Sequence, residues 1–214
     1  GPSGWSEMTS LLWILAVLTM LVGSLCALMQ THIKRLLAYS SVVHMGTLLV
    51  GLLCQSRDGL AAGVFYVVVY CIASLGSFAV IASLASHGDE PGELNDWRGL
   101  GYRYPVRGGV LTVLLLSLAG MPPTAGFMAK FAIFHAAIQA DLLSLALLGI
   151  LASLISFAFY LKVILMLFTP NETVSERHPG TGLEHTVLAI CVTGVLLFGI
   201  LPDRLFDLIG QILP

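Results

Sequence analysis

Six apolar runs in this 214-residue chain are long enough to cross a hydrocarbon core of about 30 Å, which takes about 20 helical residues. They fall at 9–30, 33–54, 60–86, 105–138, 142–168 and 184–202. In lipid every backbone N–H and C=O must find a partner inside the protein, so runs of this length specify helices. The expected fold is all-α: a polytopic transmembrane helix bundle with one discontinuous helix, forming a single membrane domain over residues 1–214. Composition agrees. Charged residues make up 10% of the chain, against about 25% in soluble domains. A net charge of −2 with no dense basic cluster argues against a nucleic-acid partner. Cys26, Cys54, Cys71 and Cys191 sit in or beside apolar runs, without a Cys-x-x-Cys pair or a histidine at zinc-ligand spacing. Neither a disulfide nor a metal site is expected. The opening residues Gly1-Pro2-Ser3-Gly4-Trp5 carry no basic segment and no small-residue cleavage site, so no signal peptide is expected.

The longest polar connector runs from His87 to Arg107 and holds Asp89, Glu90, Glu93, Asp96, Arg98 and Arg103. It reads as a solvated loop with a short surface helix near Trp97. Charge counting orients the bundle. Lys34, Arg35, Arg98, Arg103, Arg107 and Arg177 fall on one side, and Arg57 and Arg204 on the other. The positive-inside rule makes the first side cytoplasmic and puts both termini on the periplasmic face.

The fourth run is too long for one straight crossing, since its 34 residues would reach about 51 Å as a continuous helix. It must break near 120–126. Gly120 and Gly126 permit unusual dihedrals there, and Pro122 and Pro123 lack N–H groups and clash with the preceding turn. Freed carbonyls in lipid are tolerated only where protein or a water-filled cavity receives them, and half-helix ends of this kind build ion sites near the midplane. Lys130 follows the break by one to two turns. An intramembrane lysine costs roughly 2.5–3.5 kcal/mol on insertion scales. No Asp or Glu lies in the middle of any run, so any partner charge for Lys130 is expected from another chain. A lysine so placed suits loading and unloading of a proton. The alternative is snorkelling from a span end, which strains over the roughly 12 Å that separate it from that end.

His44, about midway along the second run, is either a proton relay or a packing residue hydrogen-bonded to a neighbouring helix. Lys162 stands near the cytoplasmic end of the fifth run, as a further proton-transfer candidate or a snorkelling side chain. His135, five residues after Lys130, is a candidate proton exit or an interfacial residue.

Two long motifs carry a resemblance. The segment Lys34-Arg35-Leu36-Leu37-Ala38-Tyr39-Ser40-Ser41-Val42-Val43-His44-Met45-Gly46, and the segment Gly120-Met121-Pro122-Pro123-Thr124-Ala125-Gly126-Phe127-Met128-Ala129-Lys130-Phe131, resemble the signatures of antiporter-like subunits of respiratory complex I, NADH–quinone oxidoreductase. Glu93-Leu94-Asn95-Asp96-Trp97-Arg98-Gly99 and the lysine, rather than glutamate, at position 130 look most like the N-type member. The resemblance implies a subunit built from two inverted helical repeats, each with a broken helix, of which this chain would hold the second repeat and the terminal helix. It makes Lys130 the lysine of the second broken helix, facing a neighbouring antiporter-like subunit, and His44 part of a central hydrophilic axis. It further implies no flavin, iron–sulfur cluster or quinone in the chain. The function would be proton translocation in a bacterial inner membrane, driven by redox chemistry in other subunits. The first repeat, with its glutamate–lysine pair, would have to complete the path. Two alternatives stay open: a subunit of a multi-subunit Na⁺/H⁺ antiporter, which shares both motifs, and a scaffold that only buries surface in a larger complex.

Overall fold

The computed structural model describes residues 2–84, 92–170 and 182–212, with side chains from 7 in the first segment and from 186 in the last. The connector residues His87, Asp89 and Glu90, together with Arg177, lie outside the described residues. The described chain folds into α1 (Pro2–Met29), α2 (Ile33–Leu53), α3 (Arg57–Leu84), α4 (Leu100–Arg103), α5 (Pro105–Ala119), α6 (Ala125–Gln139), α7 (Leu143–Leu167), α8 (Gly182–Ile200) and α9 (Pro202–Ile212). A 3₁₀ turn, Leu94–Trp97, precedes α4.

Four helices are by themselves long and apolar enough to cross a membrane: Glu7–Met29 within α1, then α2, α3 and α7. The fourth apolar run is divided. Its halves α5 and α6 have 15 residues each, about 22 Å apiece, so neither reaches across alone. The last run also departs from expectation. After Ile200 the chain turns through 87° into α9. Eleven residues with Leu205 and Ile209 on one face and Asp203, Arg204 and Asp207 on the other make an amphipathic helix, which apolar-run length does not detect. Leu205 and Ile209 are buried, Phe206 stacks on Phe65 of α3 with ring centroids 4.5 Å apart, and Arg57 donates to the Gly210 carbonyl at 3.1 Å.

The region near Trp97 corrects the sequence reading. A short helical turn is present, but Trp97 is wholly enclosed instead of lying on the surface. The cause is a backbone clamp between this segment and the α1–α2 turn. His32 and Glu93 form an antiparallel bridge, Leu94 N–H donates to the Thr31 carbonyl at 2.7 Å, and Ile33 N–H donates to the Gly92 carbonyl at 3.2 Å. With the segment pinned, Trp97 and Leu94 join the apolar core under it.

Two apolar cores result. One gathers Ile33, Leu36, Val80, Leu111, Phe159 and Leu167; the other gathers Met20, Val50, Phe65, Ile133, Leu145 and Leu205. Along α2 the change from one core to the other falls between Leu37 and Val50, and His44 lies in that interval. A buried polar set accompanies it: Ser40, Thr47, Ser77, Ser117, Lys130 and Ser156. Helix association in lipid draws on close packing and interhelical hydrogen bonds rather than on hydrophobic burial. The polar residues are therefore structural partners as well as candidate chemistry.

Candidate functional site

Geometry at the break explains its sequence. α5 ends at Ala119, and Gly120 adopts the left-handed region with φ 85°. There its N–H reaches the Leu116 and Ser117 carbonyls at 3.1 and 2.9 Å, while Met121 N–H reaches Leu116 at 3.0 Å. This is a glycine-terminated helix end that takes up the Leu116 and Ser117 carbonyls. Pro122 and Pro123, joined by a cis peptide bond, are exposed and bring no N–H to satisfy. α6 then starts beside α5, with Gly126 N–H donating to the Ser117 hydroxyl at 3.2 Å. Any Cβ at Gly126 would collide with the Ser117 carbonyl, so this approach needs glycine.

The Ala119 carbonyl, which the turn bonds do not reach, goes to Lys130. Its Nζ donates to the Ala119 oxygen at 2.9 Å, and the residue is only 8% exposed. A Cβ added at Gly120 would stand 2.8 Å from Lys130 Cδ, so Gly120 serves both the turn and the passage of the lysine stem. The sequence reading looks to another chain for any partner charge, which a single chain does not test. The structure supplies a backbone dipole from its own chain, and the negative end of α5 favours a cation there by about 0.3–1 kcal/mol, up to about 2 in partly buried settings.

His44 is enclosed by tyrosines. Nδ1 shares a hydrogen bond with the Tyr66 hydroxyl at 2.6 Å, and Nε2 shares one with the Tyr160 hydroxyl at 3.0 Å. The Tyr70 ring lies 4.7 Å from the imidazole, and its hydroxyl donates to Ser41 at 2.9 Å. On the α2 side, the Thr47 and Ser40 hydroxyls donate to the Val43 and Leu37 carbonyls at 3.1 and 2.7 Å. A small cavity of about 10 Å³ is lined by both His44 and Lys130, with Tyr66, Tyr70 and Ser117. That is about the volume one water needs. On its other side Lys130 lines a larger groove of about 460 Å³ between α6 and α7, walled by Phe127, Phe131, Phe134, His135 and Phe157. Lys130 therefore stands between a small inner cavity that His44 also lines and an outer apolar groove.

Sequence reasoning missed the tyrosines. Tyr66 and Tyr160 are 22 and 116 residues from His44, and no local pattern joins them. The available signal was Tyr66 and Tyr70 at i and i+4 in mid-run, away from the membrane interface where tyrosines gather. The other candidates are placed elsewhere. Lys162 is half-buried, and its ammonium donates to the Gln30 carbonyl at 3.1 Å and more weakly to Leu28 at 3.5 Å, closing the end of α1. His135 is exposed on α6 and stacks on Phe131 at the outer groove. Among the described residues no group of three His, Cys, Asp or Glu side chains is placed to hold a metal ion.

Residues 4–156 match the family described as NADH:quinone oxidoreductase/Mrp antiporter, transmembrane. The chain belongs to this antiporter-like family. As a member it is a multi-pass membrane protein, and its relatives sharpen the placement within the family. It is 43% identical over 213 residues to NADH-quinone oxidoreductase subunit N of Geotalea uraniireducens, covering 99% of this chain and 45% of that protein. Against the same-named subunit of Mycobacterium tuberculosis H37Rv it is 39% identical over 207 residues, covering 94% and 39%. The chain thus spans less than half the length of these curated relatives. Among solved structures, a chain of respiratory complex I from Thermus thermophilus with bound aureothin superposes with a TM-score of 0.81 at 32% identity, covering 92% of this chain and 45% of that one. A chain of the archaeal membrane-bound sulfane sulfur reductase gives 0.87 at 28% identity, covering 98% and 42%. A chain of the Mrp complex from Dietzia sp. gives 0.87 at 23% identity, covering 98% and 47%, and shares the fold alone.

Proposed function

We propose that this antiporter-like chain is the second-repeat part of an N-type, proton-translocating membrane subunit of NADH–quinone oxidoreductase, where quinone reduction in other subunits drives proton movement. The observation that carries this reading is Lys130, held on the Ala119 carbonyl at a helix break and lining the cavity that His44 also lines. When charged, Lys130 is stabilised by the end of α5. When a neighbouring positive charge approaches, its proton can leave through the inner cavity, and loss of that charge lets it reload. Ionisable residues at membrane depth mark proton relays more often than packing. The relatives named subunit N, at 39–43% identity, favour this complex over other members of the family.

On the same reading the chain carries no redox centre of its own. The remaining half of the subunit supplies the first repeat, a neighbouring antiporter-like subunit covers the groove at Phe127 and Phe131, and lipid surrounds the rest. The complex lies in a bacterial inner membrane, with the Lys34–Arg35 and Arg98–Arg107 end cytoplasmic and both ends of the chain periplasmic. The family description also names Mrp antiporters, which keeps a Na⁺/H⁺ antiporter subunit as the second reading. Reconstituting the full-length protein in its native complex separates them. Proton uptake into vesicles driven by NADH and independent of sodium supports the proposal. Proton flux driven by a sodium gradient without NADH supports the antiporter, and no flux under either condition leaves only a scaffold.

A further inference from the structure

The hydrogen bonds around His44 imply more than a single relay histidine. A neutral imidazole has one N–H donor and one bare nitrogen acceptor. Both nitrogens of His44 meet a tyrosine hydroxyl, so one hydroxyl accepts from the ring and must hand its own proton onward, while the other donates to the ring. Two further buried hydroxyls, Ser40 and Thr47, stand one turn to either side of His44 on α2. Each rests its proton on a carbonyl of its own helix. Thr47 donates to the Val43 carbonyl at 3.1 Å and Ser40 to the Leu37 carbonyl at 2.7 Å. A hydroxyl that rotates between a carbonyl and a tyrosine oxygen can serve either polarity of the chain. Tyr160, His44 and Tyr66 form a hydrogen-bonded string across α2, α3 and α7, and the Ser40 and Thr47 hydroxyls flank His44 on α2. Packing alone would need the rings but not a tyrosine hydroxyl on each nitrogen of the histidine.

We propose that Tyr66 and Tyr160 are proton-relay residues that act with His44 as one unit, the ring changing tautomer as a proton passes. This deepens the proton-translocation reading and rests on it. In one polarity Ser40 donates to Tyr160, Tyr160 to Nε2, Nδ1–H to Tyr66, and Tyr66 to Thr47. A proton accepted at Ser40 moves each bond along. Tyr160 gives its proton to Nε2 as it takes one from Ser40, Nδ1 gives its proton to Tyr66, and Tyr66 passes its own to Thr47, which releases one. Every member gains one proton and loses one, and none keeps a charge. Readying the string for the next proton takes rotation of the hydroxyls and a tautomer reset, in which water in the adjoining cavity takes the proton from Nε2 and returns one to Nδ1. Charge-neutral passage suits this position, because Lys130 lines the adjoining cavity and no carboxylate among the described residues contacts His44.

The test uses Tyr66→Phe and Tyr160→Phe in the full-length subunit within its native respiratory complex. Phenylalanine keeps the ring and removes only the hydroxyl. Proton uptake per NADH oxidised is expected to fall about threefold or more in each variant, with assembly intact. The double variant should fall little further than either single one, because members of one series do not add. The solvent deuterium isotope effect on proton uptake should change in both. Wild-type uptake and isotope effect in both variants would overturn the relay. Lys130→Ala provides the control: lost uptake there, beside wild-type uptake in the tyrosine variants, overturns the relay alone. Wild-type uptake in all three overturns the proton-translocation reading and the relay with it. If a tyrosine variant does not assemble, nitrogen-15 NMR of histidine-labelled wild-type complex, assigned with His44→Gln, decides the matter. Both neutral tautomers of His44 are expected, and a single fixed tautomer or a permanently doubly protonated ring would contradict the relay.

Discussion

Lys130 and Lys162 make the same bond in different surroundings. Each donates to backbone carbonyls at the C-terminal end of another helix, Lys130 to Ala119 at the end of α5 and Lys162 to Gln30 and Leu28 after α1. Arg57 does likewise at Gly210 of α9. A cation at a helix C-terminus is a common stabilising arrangement, so the bond by itself says nothing about function. What separates Lys130 is its site: it is buried, it follows a break in an apolar run, and it has a cavity on either side. Lys162 is half-buried and Arg57 exposed, where water can share the charge. The contrast lies in the dehydrated surroundings rather than in the cation–carbonyl contact.

That contrast can be broken by substitution. The largest effect is expected from Lys130→Ala in the assembled complex, with NADH-driven proton uptake falling by about tenfold or more, equivalent to about 1.4 kcal/mol or more on the rate-limiting barrier. Next comes Gly120→Ala. A non-glycine residue in the left-handed region costs roughly 1–2 kcal/mol, and the new methyl would press on the Lys130 stem. Uptake should fall by a smaller factor, and a thermal-unfolding scan should show lower stability. Lys162→Ala should leave protons per NADH unchanged and lower stability by about 1 kcal/mol or less. A collapse of uptake as deep as that of Lys130→Ala, with assembly intact, would return Lys162 to the proton path and remove the contrast. Arg57→Ala should have the smallest effect, a few tenths of a kcal/mol in keeping with an exposed cap, seen as easier proteolysis near α9.

How far the sequence carries this account depends on whether each feature is local. The all-helical class follows from run length and charge content. The break follows from a run too long to cross once and from Gly120, Pro122, Pro123 and Gly126 inside it. The depth of Lys130 follows from its distance to the run's ends. Other features are not local. The Ala119 carbonyl becomes the partner of Lys130 only after the chain folds back through the break. Tyr66 and Tyr160 reach His44 from two other helices. Trp97 is buried because a backbone clamp to the α1–α2 turn pins a segment whose composition is that of a solvated loop. α9 escaped notice because one apolar face in eleven residues does not make a membrane run.

The central claim is that Lys130 itself loads and unloads a proton during turnover. Infrared difference spectroscopy on the complex, with nitrogen-15 lysine incorporated into the full-length subunit, reads that step directly. The account predicts an isotope-sensitive ammonium band that is lost and regained between resting and pumping states, and that disappears in Lys130→Met. An unchanged lysine spectrum through turnover, with normal proton pumping, would contradict it.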